Sequence, residues 1–267
     1  MQCSPYHKQF YSKHKTCFKK SQLFDIANHL NLKFNKSKTN VQELWNLINE
    51  RMSQDCSSGD EVCWVEKTKI HTNAHVPKQP LEWKEDPHTW LTNIDILNVM
   101  TQYEKKYKTF KFLGVFPIDF NEKYGLSQCI SVEICNFKLS KFKDQNKFGC
   151  VFNLDKHNQS GSHWVAVFFN KVKESKNYGF YFFDSTGSKM PIEIKNFGNI
   201  IKKQINDDDF KLYQNDVQKQ FQNTECGMFS MYFIIQCLKN KSFNQIINDN
   251  TYDEQVHKFR NKWFRKV

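Results

Sequence analysis

Nine cysteines punctuate this 267-residue chain, and one of them stands where a thiol can react. Cys226 opens a run that stays almost wholly apolar to Leu238. That length fits a buried helix with the cysteine in its first turn. Unpaired backbone N–H groups and the positive dipole end at a helix start favour thiolate. Gly227 would let a substrate backbone come close. Gln220, six residues upstream of Cys226, can aim its amide at a developing oxyanion together with the Cys226 N–H, as can its neighbours Gln218 and Gln222. A base and its orienter come from two earlier runs. His163 opens the aromatic and β-branched stretch to Phe169, and Asp184 closes a second stretch, Tyr178 to Phe183, ahead of the turn Ser185-Thr186-Gly187. A hairpin centred near Lys173-Glu174 pairs residues whose numbers sum to 347, which sets His163 opposite Asp184 with Cβ atoms ~5 Å apart. Cys226 with His163 as base and Asp184 as orienter meets the pattern of an activated nucleophile.

The elements that must hold these groups are readable from apolar spacing. Tyr178–Phe183 and His163–Phe169 are apolar on both faces, as in a central hairpin covered on both sides. Further β-prone runs are expected at Phe110–Phe116, Ser131–Phe137 and Cys150–Leu154, after a helix from Trp90 to Tyr103. Residues 1–78 read as a separate helical module: Ser21 caps a helix carrying Leu23, Phe24, Ile26, Ala27 and Leu30, and a second helix runs from Val41 to about Met52. Pro77 and Pro80 mark a linker. The expected domains are therefore a basic helical module, 1–78, and a catalytic domain, 79–267.

Composition sets the outer bounds. Hydrophobic residues make up 39% of the chain, including 25 phenylalanines, enough apolar surface for a core. No stretch reaches the ~18 apolar residues of a membrane span, and the amino terminus lacks the apolar segment of a secretory signal. No membrane partner is expected. The net charge is +11. Eight lysines against the single acid Asp25 lie in residues 1–40, and only Arg51, Arg260 and Arg265 are arginines. This suits salt-sensitive, non-specific attraction to nucleic acid rather than base reading. An odd cysteine number without CxxC pairs predicts free thiols in a reducing compartment, inside a cell or a particle. The C-x6-C and H-x3-H spacings of Cys56, Cys63, His71 and His75 match a zinc knuckle poorly, so no metal or other cofactor is expected.

The order His163-Trp164, Asp184-Ser185, Gln220-x5-Cys226-Gly227 resembles the superfamily of ubiquitin-like-protein proteases and adenovirus-type proteases. Trp90-Leu91-Thr92-Asn93-Ile94-Asp95-Ile96 is similar to that family's WLND segment, with Thr92-Asn93 in place of Asn-Asp. Phe148-Gly149-Cys150-Val151-Phe152-Asn153-Leu154-Asp155 and Lys258-Phe259-Arg260 resemble the polyprotein-processing proteases of large DNA viruses, of the African swine fever virus type. The resemblance covers roughly residues 80–267. It implies an α+β fold, a papain-like-superfamily core with a central mixed sheet flanked by helices. It implies a His163–Asp184–Cys226 triad with Gln220 in the oxyanion hole. Trp90 and Trp164 would cover a narrow tunnel that admits glycines, since two indoles over an extended peptide leave no volume for a Cβ. The expected activity is a cysteine endopeptidase cutting after Gly-Gly in viral structural polyproteins. Two alternatives are an isopeptidase removing SUMO-like or ubiquitin-like tags from host proteins, and a non-catalytic binding module tethered to nucleic acid.

Overall fold

The structure is a computed structural model that describes residues 2–125 and 128–266. By contact density the chain divides into two compact units: residues 1–78 with 263–266, and residues 79–262. Residues 263–266, expected with the catalytic domain, cluster with the first unit.

The first unit contains α1 (Lys8–His14), α2 (Lys20–His29), α3 (Val41–Met52) and α4 (Glu61–Thr68). Its core gathers Phe18, Leu23, Ile26, Leu44, Ile48 and Trp64. The expected apolar stripe of α2 is there, but Ser21 lies inside the helix. Lys19 is the N-cap, and Gln22 reaches back to its N–H at 2.9 Å. Asn40 caps α3 in a capping box with Glu43. Glu61, fully buried, accepts hydrogen bonds from the Cys17 N–H (3.1 Å), Trp45 Nε1 (2.8 Å) and His75 Nε2 (3.1 Å). A buried carboxylate needs that many partners.

Expected free thiols are the main correction in this half. Cys3 is bonded to Cys17 and Cys56 to Cys63, and in the second unit Cys129 is bonded to Cys135, leaving Cys150, Cys226 and Cys237 free and buried. Each pair is local, 14, 7 and 6 residues apart, and the intervening helical turns bring Cα atoms to 5.2, 5.8 and 6.3 Å. Counting CxxC motifs overlooks such wider spacings.

The second unit adds α5 (Asn93–Lys106), β1 (Phe110–Pro117), β2 (Lys123–Tyr124), β3 (Gln128–Cys129), α6 (Val132–Cys135), β4 (Lys147–Asn153), β5 (Trp164–Asn170), β6 (Gly179–Phe183), α7 (Ile192–Ile205), β7 (Leu212–Gln214), α8 (Cys226–Leu238), α9 (Phe243–Ile247), α10 (Asp253–His257) and α11 (Arg260–Trp263). Strand order in the main sheet is β1-β4-β5-β6-β7, with β4-β5-β6 antiparallel and both outer pairs parallel. This is the central mixed sheet of the expected α+β core. Ser131–Phe137 is not a strand: it folds as the single turn of α6, which the Cys129–Cys135 bond closes. Trp90 precedes α5 rather than opening it, because Thr92 and Asp95 form a capping box that fixes the start at Asn93.

Both faces of the hairpin are covered, as its composition requires. On one face Phe148, Phe169 and Phe180 are cross-strand partners, with ring centroids 4.6 Å and 6.0 Å apart, packed with Phe137 and Phe197. On the other lies α8, buried along its whole length, with Phe233 stacked on Phe183 at 4.9 Å. Gly149 permits the close approach: a Cβ there would sit 3.1 Å from Ile234 of α8. No helix among the described residues is long and apolar enough to cross a membrane.

The Phe169 ring sits at the centre of this row with no exposed surface. Phe169→Ala is therefore expected to cost about 3–5 kcal/mol. Urea unfolding checks this, with a lowered midpoint at unchanged slope.

Candidate active site

β5 and β6 deliver two ionisable groups to one end of the sheet. His163 is the residue before β5, and Asp184 the residue after β6. The hairpin register pairs Ala166 with Phe183, so partner numbers sum to 349 rather than the expected 347. Asp184 thus falls across from Val165, and His163 reaches it diagonally. An imidazole is long enough for that diagonal. His163 Nε2 donates to Asp184 Oδ1 at 2.7 Å.

Asp184 is fixed from several sides. Its Oδ1 also accepts from the Thr186 N–H (2.8 Å) and Thr186 Oγ1 (2.9 Å). Its backbone is clamped by Asn215, whose Oδ1 accepts from the Asp184 N–H (2.8 Å) and whose Nδ2 donates to the Asp184 carbonyl (2.7 Å). The turn that follows depends on Gly187 at φ 77°, where a Cβ would sit 3.0 Å from the Asp216 carbonyl oxygen. Burial alone would raise the Asp184 pKa, but His163 and Thr186 outweigh it and hold the carboxyl below its ordinary value.

α8 brings Cys226 to the same place. It is the first helical residue and is buried. It lies close enough to His163 to raise the imidazole pKa alongside Asp184. With Nε2 taken by the carboxylate, the other ring nitrogen is the one available to sulfur. Burial opposes a charged imidazole, yet Asp184 and Cys226 together raise the His163 pKa to about 9. The raised value favours the imidazolium, which lies between a carboxylate and the Cys226 sulfur.

Gln220 is the one of the three glutamines that is built in. Ser185 Oγ donates to its Oε1 at 2.6 Å, and the Ser185 carbonyl accepts from the Lys219 and Gln220 N–H groups at 2.7 and 2.9 Å. Its Nε2 donates to the Gln222 carbonyl, which leaves its second N–H. Asp253 steadies that loop by accepting from the Phe221 and Gln222 N–H groups, at 2.7 and 3.4 Å. Gln218 instead donates to the Gln220 carbonyl at 2.9 Å.

Trp164 is 9% exposed and Trp90 40%. The Trp164 Nε1 donates to the Leu91 carbonyl at 3.0 Å, which ties the two tryptophan segments together. Both indoles line a cleft of about 490 Å³ that is bordered also by Leu91, Asn153, Asp155 and His157. Gly227 does not lie open for a substrate backbone, as the sequence suggested. Its missing side chain is filled by Leu91 and Trp164, each 3.2 Å from where a Cβ would stand.

A second network braces the residue before the cysteine. Glu225, buried, receives Arg260 Nε on both oxygens at 3.0 Å and His257 Nδ1 at 2.9 Å. Arg260 also donates to the Thr89 carbonyl (2.8 Å) and the Thr224 carbonyl (3.2 Å), and its guanidinium lies 4.3 Å from the Trp83 ring centroid. One arginine so joins the approach to Trp90 with the approach to Cys226. Asn215, Ser185, Glu225, Arg260 and Asp253 were not singled out as site residues from sequence. An arginine kept in a chain that otherwise uses lysine was the one available signal, since only guanidinium supplies several donors in fixed directions. The zinc alternative at Cys56, Cys63, His71 and His75 is spent otherwise: the cysteines bond each other, and His75 binds Glu61.

Two measurements follow. By NMR, His163 should titrate near pH 9 and move towards the ordinary histidine value in Asp184→Asn. Stability owed to this raised group is complete below the unfolded histidine value and fades as pH rises through about 9. Arg260→Met should destabilise by about 3–5 kcal/mol, because it strands a buried carboxylate, and adding Glu225→Gln should recover part of the loss in urea unfolding.

No protein-family profile matches the chain. A putative thiol protease of Acanthamoeba polyphaga mimivirus is 28% identical over 298 aligned residues, covering 98% of this chain and 93% of that protein. A SUMO-1 cysteine protease of African swine fever virus is 24% identical, covering 90% of this chain and 95% of its own length. The crystal structure of the ASFV protease superposes with a TM-score of 0.70 at 20% identity, covering 100% of this chain and 96% of that one, and so shares the fold. These near full-length matches make the chain a homologue of the viral thiol proteases and a cysteine protease.

Proposed function

We propose that the second unit is a cysteine endopeptidase that hydrolyses the bond after Gly-Gly, with Cys226 as nucleophile, His163 as acid and base, Asp184 as orienter and Gln220 in the oxyanion hole. The observation that carries this reading is the partly buried His163–Asp184 pair at 2.7 Å, with the imidazole raised to about 9 beside a cysteine at a helix start. In the proposed reaction His163 carries the proton given up by Cys226, and the sulfur adds to the scissile carbonyl carbon. The oxyanion takes hydrogen bonds from the Cys226 N–H and the free N–H of Gln220. The imidazolium then gives its proton to the leaving amine, and a thioester remains. His163 next takes a proton from water, whose oxygen attacks the thioester and releases the carboxylic acid and the thiol.

Selectivity for Gly-Gly rests in this proposal on Trp90 and Trp164. A half-exposed indole and a buried one border the same cleft, and the buried one is locked by the Leu91 carbonyl. A peptide threaded beneath them has no volume for a side chain. The natural substrate we propose is a viral structural polyprotein, cut during particle maturation. A second reading, release of ubiquitin-like tags, is favoured by the name that the swine fever relatives carry, SUMO-1 cysteine protease. A separate, weaker proposal is that the lysines of residues 1–40 attract polyanions at low salt.

On a fluorogenic Gly-Gly peptide, Cys226→Ala and His163→Ala should each lower kcat by at least ~10³-fold, and Gln220→Ala by roughly 10²–10³-fold. Turnover unchanged in the first two would remove the triad. Virion polyprotein and SUMO-conjugated proteins incubated side by side with the enzyme separate the two substrates.

A further inference from the structure

Among the described residues, a group with metal-binding chemistry lies next to the candidate active site. His88, Glu225 and His257 each offer one ligand atom, and these atoms all lie within 4.8 Å of one another. They come from three separate places: a turn before Trp90, the residue before α8, and the last residue of α10. We propose that they bind one divalent transition-metal ion of the zinc class, as a two-histidine, one-carboxylate site. This inference is independent of the catalytic reading.

Three features of the geometry support it. The His88 and His257 rings lie side by side, with centroids 4.6 Å apart and planes 28° apart, and each brings a ring nitrogen within 4.8 Å of the other and of Glu225. His257 Nδ1 and Glu225 Oε1 are 2.9 Å apart. Two ligands on a tetrahedral zinc, each ~2.0–2.1 Å from the metal, stand about 3.3 Å from each other. Replacing the shared proton by the metal therefore needs only a few tenths of an ångström. Each ligand is also held in place by other contacts. The His88 turn is closed by the His88 N–H donating to Asp86 Oδ1 (2.9 Å) and the Thr89 N–H to the Asp86 carbonyl (3.1 Å). The Thr89 carbonyl is then held by Trp83 Nε1 and Arg260. Arg260, bidentate on Glu225, serves as the outer partner that ligating carboxylates usually have.

Two imidazoles and one carboxylate suit zinc and its neighbours better than calcium or magnesium, which take oxygen. His88 is exposed, so a fourth position opens to water. The other group of suitable side chains, Cys17, Glu61 and His75, is not equivalent, because Cys17 is bonded to Cys3. Metal at the first group would clasp the Trp90 approach and α10 to the start of α8, and so raise stability without touching the reacting sulfur.

The test uses the full chain carrying Cys226→Ala, so that the candidate nucleophile cannot bind metal, with Zn²⁺ and Co²⁺ as probes. One Co²⁺ should bind with visible d–d bands and no thiolate charge-transfer band, and Zn²⁺ should raise Tm. His88→Ala and His257→Ala, both solvent-accessible, should each weaken binding by more than roughly the 10–100-fold that outer partners cost. His163→Ala should leave it unchanged. No binding, or binding that survives both His88→Ala and His257→Ala, would overturn the proposal.

Discussion

An imidazolium can persist partly buried in this protein because a carboxylate lies against it. His163 has little contact with water, and burial alone would drive it neutral. The Asp184 oxygen at 2.7 Å reverses that outcome. Removing His163 would leave Asp184 as an uncompensated charge, whereas removing Asp184 would let the imidazole go neutral. The pair lies where two strands end together, just beyond the apolar faces that the phenylalanine row and α8 cover. Its location is thus set by the lengths of β5 and β6, and those lengths are set by their apolar composition.

The surrounding structure can be understood as support for that pair. Each strand of the hairpin is apolar on both faces, and the phenylalanine row on one side and α8 on the other fill them. The helix needs a close approach to the sheet, which Gly149 allows, and its start needs a stop, which Leu91 and Trp164 provide by packing on Gly227. Polar groups then finish the assembly. Asn215, fully buried, spends its side-chain amide on both backbone groups of Asp184, so the carboxylate cannot swing away with its loop. Ser185, one residue on, holds Gln220. A single turn after β6 therefore positions both the candidate orienter and the candidate oxyanion donor.

What the sequence discloses follows the range of the interaction that matters. Periodicity and composition are local, and α2, α3, α8 and the central strands could be read from them. Helix starts were less legible: Ser21 looked like a cap and lies inside α2, while Thr92 fixes α5 three residues later than the apolar pattern began. Ser131–Phe137 carries strand-forming residues, but a disulfide and burial of Phe137 in an aromatic cluster decide it as a turn. The partners that orient the site, Asn215 to Asp184 or Arg260 to Glu225, lie 31 and 35 residues apart in the chain, and no local pattern announces them.

The hairpin register shows why an incorrect step can still lead to a correct neighbour. A slip of two residues preserves which face each side chain occupies, because the side-chain period along a strand is two. The shift from 347 to 349 therefore changed the opposite partner of Asp184 but not its face. His163, standing just outside β5, accepts one more cross-strand hydrogen bond from the Leu154 N–H at 2.9 Å, and its side chain reaches the carboxylate. A slip of one residue would have sent Asp184 to the α8 side of the sheet and separated the two groups. Proximity of His163 and Asp184 is in that sense a property of strand parity and side-chain reach, and tolerates an error in the turn that the identity of the nucleophile's helix would not.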